Sequence, residues 1–267
     1  MSKTSGHTAV MAAKRPTLKE PAPWQALEFF PTPPWATRAL LRYVIAGPSM
    51  AVEGSAWEPC AGLGHMSDTL RESFDTVRAS DVYAYPVEGG GDAGRFEIDR
   101  FDFLDEAAIV RAPEVDWIIT NPPFSKASAM LGHALLKARL GVAFLLRMQW
   151  LEGETRFREV YADRAPSLVA PFVERVPMCE GGLDPEGSTA TMYAWFVWLR
   201  EPDAWRRSDA PEWLFGSPDD LTLHLIPPCR QDLWRPEDRE LARRSLPGWI
   251  APSKLKKSGR GQAEMFA

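Results

Sequence analysis

Two periodicities alternate along this chain. Val115-Asp116-Trp117-Ile118-Ile119-Thr120 is a short apolar run, and Val142 to Leu146 is another. Both have the length and the branched or aromatic content of strands buried on two faces. Between them, Ala127 to Leu140 sets Met130, Leu131, Ala134 and Leu135 on one helical face. Upstream, Pro34 opens a helix running through Trp35, Leu40, Leu41, Val44 and Ile45, which Gly47-Pro48 ends. Ala56 to Pro59 then reads as a strand, Met66 to Phe74 as a helix, Thr76 to Val82 as a strand and Leu104 to Val110 as a helix. Downstream come a helix at Arg156 to Tyr161, a strand at Leu168 to Val176 and a strand at Thr191 to Leu199 that is too aromatic for solvent. With a third short segment before Asp102, the alternation predicts an α/β fold: a doubly wound, mostly parallel, seven-stranded sheet with helices on both faces.

The pattern fades at both ends. Residues 1–22 are small, polar and proline-containing, and are expected to be disordered. Residues 23–200 carry the alternating elements. Residues 201–267 are rich in Trp, Pro and Arg and read as a small irregular extension, with one candidate strand at Leu221 to Ile226 and a frayed tail from Ser253. Met178 to Ala190 is a Gly-containing loop of the length that is usually functional or mobile.

Composition narrows the class. A hydrophobic content of 45% supports a full core, and eleven Trp is a high count for this length, some expected in the core and several available for a stacking surface. The net charge of −5 excludes a generally basic nucleic-acid binder, although local patches matter more than totals. Arg230, Arg235, Arg239, Arg243, Arg244, Lys254, Lys256, Lys257 and Arg260 gather near the C-terminal end, as a solvated face or as phosphate contacts. Cys60, Cys179 and Cys229 are scattered, which suggests a reducing, cytoplasmic setting rather than a disulfide framework or a metal site. Neither a membrane span nor a secretory signal is expected.

The chemistry concentrates behind two predicted strands. Asn121-Pro122-Pro123-Phe124 directly follows Thr120, so a strand delivers a carboxamide, a proline carbonyl and an aromatic ring to one point. Two acceptors and a ring suit a planar exocyclic amine. Glu58-Pro59-Cys60-Ala61-Gly62-Leu63-Gly64 links a strand to a helix, and its glycines permit close backbone approach by a ligand. It lacks the third glycine of a dinucleotide fingerprint and the lysine of a phosphate-cradling loop, which disfavours NAD and ATP. Asp81 ends the next strand, where it can bind a ribose diol or simply form a turn. Asp102 can read an adenine edge, alone or through the Phe103 backbone, or can cap the helix that Leu104 starts. His65 is structural or adjacent to the ligand. Phe124 is a stacking ring or a core aromatic.

These residues together resemble class I S-adenosylmethionine-dependent methyltransferases, and more narrowly the adenine-N6 DNA methyltransferases of bacteria and phages. Phe30-Pro31-Thr32-Pro33 is similar to that family's TP motif, and Glu58 to Gly64 to its cofactor motif. Asp81 matches its ribose-binding acid, Asp102-Phe103-Leu104 its adenine-contacting segment, and Asn121 to Phe124 its catalytic motif. Leu151-Glu152-Gly153 with Arg156 is similar to a segment after the following strand. The resemblance covers roughly residues 29–200. It implies that S-adenosylmethionine is held by Thr32, Pro33, Glu58, Cys60, Ala61, Gly62, Gly64, Asp81, Asp102 and Phe103. It also implies that Asn121, Pro122, Pro123 and Phe124 act on an adenine flipped out of DNA, with no metal, in a restriction-modification or phage setting. The segment after Arg200 is short for a target-recognition domain. The same tetrapeptide occurs in enzymes that methylate guanine N2 of RNA or the glutamine of release factors. Those usually carry a further N-terminal domain, and only a short lead precedes Phe30 here. A degenerate fold serving as a binding subunit is the non-enzymatic alternative.

Overall fold

A computed structural model describes residues 27–87, 97–200 and 221–255. The disorder expected for residues 1–22 and most of the frayed tail lie outside them. After the lead-in, α1 (Pro34–Leu40) continues into a π-helical turn at Leu41–Ile45, which closes with Ala46 N donating to Leu41 O. The succession is then β1 (Val52–Glu58), α2 (His65–Leu70), β2 (Phe74–Asp81), β3 (Asp99–Arg100), α3 (Glu106–Arg111), β4 (Val115–Thr120), α4 (Ala127–Lys137) and β5 (Ala138–Arg147). Helical turns α5 (Glu154–Arg156) and α6 (Ala162–Arg164) flank a π turn, and β6 (Leu168–Pro171), β7 (Tyr193–Leu199), β8 (Thr222–Leu223), α7 (Arg230–Leu233) and α8 (Asp238–Arg243) follow.

One sheet holds all of these strands in the order β3-β2-β1-β4-β5-β7-β6-β8. Every pairing is parallel except those of β7, which runs antiparallel to both β5 and β6. The fold is the expected doubly wound, mostly parallel, Rossmann-like sheet, with eight strands rather than seven. The additional one is β8, which extends the β6 edge and continues as a bridge between Phe172 and Ile226. The chain winds outward from β1 to β3, returns to β4, and continues the other way. A crevice therefore opens between the C-terminal ends of β1 and β4, where ligands of such sheets bind.

The continuous apolar runs reflect two separate cores. Trp117, Ile119, Ala143, Leu145, Trp195 and Val197 face the core beneath α1 and α2. Ile118, Val142, Phe144, Leu146, Phe196 and Trp198 face the core beneath α4. Trp195 is fully buried, and its indole N–H is satisfied by Ala36 O at 3.1 Å.

Several boundaries differ from the sequence expectation, each because a tertiary partner intervenes. The helix expected to reach Phe74 stops at Leu70, because Ser73 O already accepts from Val52 N and Phe74 begins β2. The helix expected to reach Leu140 ends at Lys137, whose ammonium closes the end of α3 by donating to Val110 O at 3.0 Å and Ala112 O at 2.8 Å. Strand β6 ends at Pro171 rather than Val176. The cap of α3 is Asp105, which accepts from Ala107 N and Ala108 N, and not Asp102.

Residues after the sheet are anchored through one buried cation. Arg38 is 1% exposed and donates to Asp238 at 2.7 Å, to Glu72 at 2.6 Å and to Leu233 O at 2.8 Å. Burial alone would lower the guanidinium pKa. The hydrogen bonds to Glu72 and Asp238 outweigh it and hold the pKa above its ordinary value. No helix among the described residues is long and apolar enough to cross a membrane.

Candidate active site

A pocket partly open to solvent lies at the crevice between β1 and β4. Thr32, Glu58, Cys60, Ala61, Asp81, Asn121 and Pro123, all singled out in the sequence, line it together. His65 and Met66 of α2 also contribute, with Glu28, Phe29 and Tyr85.

The glycine turn is built for close packing. Gly62 and Gly64 have φ of +55° and +83°, in the left-handed region that favours glycine. A Cβ on Gly62 would lie 2.3 Å from the Phe29 ring. The turn is cross-braced from β2: Ala61 N donates to Ser80 O at 2.9 Å, and Gly62 N to Asp81 Oδ2 at 2.8 Å. Asp81 Oδ1 accepts from Tyr83 N at 2.9 Å. Asp81 is thus a turn former with acceptor capacity left on each oxygen, since a carboxylate offers about four lone-pair sites.

Both chain extremes of the described structure close on this turn. Phe29 stacks on Tyr85 at 4.7 Å between centroids, and its carbonyl accepts from Gly181 N at 3.0 Å. His65 Nε2 faces Leu241 O at 3.0 Å and Arg244 O at 3.1 Å, so this nitrogen carries the proton. Arg244 adds an ion pair to Asp68. Leu246 packs in one cluster with Phe29, Leu63 and Tyr85.

The cavity is acidic. Glu58 is 3% exposed; burial pushes its carboxyl up to about 8, against the opposing Ser67 hydroxyl that donates to it. Burial pushes Asp81 up to about 6, offset by the N–H donors of Tyr83 and Gly62. Glu58 is therefore held largely protonated at neutral pH, and Asp81 with the Glu28 carboxylate on the same wall is what complements a cationic ligand.

Asn121 shows the most specific geometry. Its Nδ2 donates to Phe30 O at 2.7 Å. A carbonyl can only accept, so this bond fixes which end of the amide is which. Oδ1 is left buried with no hydrogen-bond partner among the described residues. Buried carboxamide oxygens are normally satisfied, so this orphan marks a place for a donor. The loop is held at both ends: Lys126 N donates to Pro123 O at 2.8 Å, and Phe124 N to Glu28 Oε2 at 2.7 Å. Glu28 adopts φ of +51°, a conformation that costs a non-glycine residue roughly 1 kcal/mol.

Other sequence candidates lie outside the cavity lining. Pro33 caps α1, and Pro122 is buried between the two lining residues Asn121 and Pro123. Phe103 is 3% exposed and packs on Trp57 at 5.0 Å, and its carbonyl is bonded to His133 Nδ1 at 2.8 Å. Asp102 is exposed and accepts from Leu104 N at 2.9 Å. Phe124 is half-buried beside the cavity, with Arg147 over its ring at 4.4 Å. Arg156 closes the turn after β5 by donating to Trp150 O at 2.8 Å. Of the C-terminal basic residues, Arg235, Arg243 and Arg244 pair with Glu72, Glu240 and Asp68, and those beyond residue 255 lie outside the described residues.

Sequence reasoning missed Glu28, Phe29, Tyr85 and Arg147. A pair of adjacent phenylalanines before Pro31 was visible, but nothing local tells that the first covers Gly62, which lies well beyond it in the chain.

No protein family matches the chain, and no curated protein matches it. Solved structures do. A modification subunit assigned to a type I restriction enzyme of Vibrio vulnificus aligns at 13% identity and a TM-score of 0.44, over 64% of this chain and 44% of its own. The present chain therefore spans less than half of that protein. A Listeria monocytogenes protein described as a class I S-adenosylmethionine-dependent methyltransferase aligns at 11% identity and a TM-score of 0.44, over 77% and 66% of the two chains. Magnesium protoporphyrin IX methyltransferase of Synechocystis, solved with bound SAM, aligns at 12% and 0.40, over 63% and 79%. The fold assignment rests on this chain's own strand order.

Proposed function

We propose that this chain transfers a methyl group from S-adenosylmethionine to the exocyclic N6 amine of adenine in DNA. The observation that carries the reading is the orphaned Oδ1 of Asn121, aimed by the Phe30 carbonyl and sharing one cavity with the glycine turn. The residues present fit the cofactor: left-handed glycines beside a crevice, a carboxylate at the end of β2 with free lone pairs, and acidic walls for a sulfonium and an ammonium. Thr32, Glu58, Cys60, Ala61, Gly62, Gly64 and Asp81 would hold it, whereas Pro33, Asp102 and Phe103 lie outside the lining. When bound, it supplies an electrophilic methyl group.

The amine is a poor nucleophile because its lone pair is delocalised into the ring. Asn121 Oδ1 accepts one amine hydrogen, and the Pro122 carbonyl accepts the other. Two fixed acceptors favour a tetrahedral nitrogen and stabilise the positive charge that develops on it. Pro123 stiffens the loop, and Phe124 supplies the aromatic surface next to an extruded base. The setting is the cytoplasm, in a restriction-modification or phage context.

The test is transfer of radiolabelled methyl to unmethylated DNA, followed by hydrolysis to nucleosides. Label in N6-methyladenine is expected. Transfer only to RNA or to a release-factor peptide would overturn the substrate. Asn121→Ala should lower turnover by at least about 100-fold, with cofactor affinity within a few-fold of wild type. Loss of cofactor binding by the wild type would favour a non-catalytic binding subunit.

A further inference from the structure

Arg147 ends β5, on the strand next to the one that delivers Asn121. Its guanidinium lies over the Phe124 ring, 4.4 Å from the centroid. Across the sheet its register partner is Tyr193 on β7, and its charge favours that phenol's ionised form against burial. No carboxylate among the described residues lies within ion-pair distance of it, and its buried Nε has no hydrogen-bond partner. Arg139 at the other end of the same strand pairs with Asp116 at 2.8 Å. Arg156 also stands over an aromatic ring with a buried, unpartnered Nε, but its Nη1 is committed to the Trp150 carbonyl.

A half-buried cation with an aromatic face beneath it and an unused donor is under-compensated, since such charges are normally paired with an anion. An arginine has five donors in a planar fork that matches a phosphate, and it rests readily on aromatic rings when that partner is absent. We propose that Arg147 is the phosphate contact of the acceptor nucleotide, resting on Phe124 until nucleic acid arrives. On contact the fork turns to a backbone phosphate next to the target base, and the ring face it covered becomes available to that base. Arg147 is thus a specificity-determining residue. It selects a polyanionic acceptor over a neutral or cationic amine, because a lysine or terminal ammonium brought to the same loop meets like charge. The inference rests on the nucleic-acid reading above and names the group that recognises the substrate class.

The experiment measures steady-state methylation of an adenine-containing oligonucleotide across a salt series, with wild type, Arg147→Lys and Arg147→Met. Cofactor affinity by calorimetry, with circular dichroism, checks that each variant is folded. Loss of one phosphate contact should make the slope of log(kcat/KM) against log[salt] shallower by about 0.9 on duplex or about 0.7 on single strands in Arg147→Met. The loss should appear mainly in KM. Arg147→Lys, which keeps the charge without the fork, should restore most of the slope. An unchanged slope in a folded Arg147→Met, on a wild type that methylates DNA, overturns this inference alone. A wild type that methylates no polynucleotide, or only a peptide, removes the substrate reading and this inference together. If Arg147→Met fails to fold, a slope in Arg147→Lys matching wild type at lower affinity supports the proposal, and a slope shallower by a full phosphate overturns it.

Discussion

Glu58→Gln is expected to flatten the dependence of stability on pH near neutrality. In the folded protein burial raises the carboxyl from 4.5 to about 8. A raised acid binds its proton more tightly in the folded than in the unfolded chain. Its contribution is therefore complete below the unfolded value and is lost as pH rises through the folded one. The separation of 8 − 4.5 = 3.5 units, at about 1.4 kcal/mol per unit, gives an upper bound of roughly 5 kcal/mol lost between those limits. Glutamine stays neutral throughout and can still accept from the Ser67 hydroxyl, so the variant keeps the bond and lacks the ionisation. The two proteins should differ little near pH 4.5, and the variant should be the more stable by several kcal/mol near pH 8.5. Urea unfolding of the full chain at half-unit steps reads the difference directly, and Asp81, common to both, cancels. Adding S-adenosylmethionine at high pH should stabilise the wild type more than the variant, since the cation offsets an ionised Glu58. Parallel stability curves from acid to base would refute the burial argument.

Three further outcomes follow from contacts described above. Arg38→Met leaves Asp238 buried without its partner and should cost about 3–5 kcal/mol in chemical denaturation, part of which Arg38→Met with Asp238→Leu should recover. Gly62→Ala forces a left-handed alanine against the Phe29 ring, so it should lower stability by at least about 1 kcal/mol and weaken cofactor binding in calorimetry. Lys137→Met leaves the last carbonyls of α3 without their donor, and should cost about 1–3 kcal/mol with methyl transfer retained by the folded fraction.

The sheet was legible because β4, β5 and β7 are buried on both faces, which turns their sequences into unbroken apolar runs. Strand order follows from the winding of the β-α units, and the glycine turn and Asn121 loop then fall beside each other as a matter of topology. Boundaries were less legible wherever a distant partner decides them. Nothing local tells that Phe74 begins a strand, because that depends on Ser73 accepting from Val52. Strand β8 was hard to define for a different reason: it pairs at an exposed edge, where Leu223 is left 59% exposed and the pattern carries little signal. Within the site, motif residues could be named from spacing, but Glu28 reaches the loop across 96 positions and was invisible. Asp102 illustrates the opposite case, a plausible ligand or cap by position that forms a local turn beside the true cap, Asp105.

The clasp of Leu241, Arg244 and Leu246 on α2 and the glycine turn gives the pocket an order of assembly. During synthesis the strands that frame the crevice emerge long before residue 241. A chain ended before residue 241 therefore keeps the strands that frame the crevice and loses the carbonyls that accept from His65, a residue that lines the pocket. Such a truncation should leave the sheet folded and weaken binding of a ligand that rests against α2.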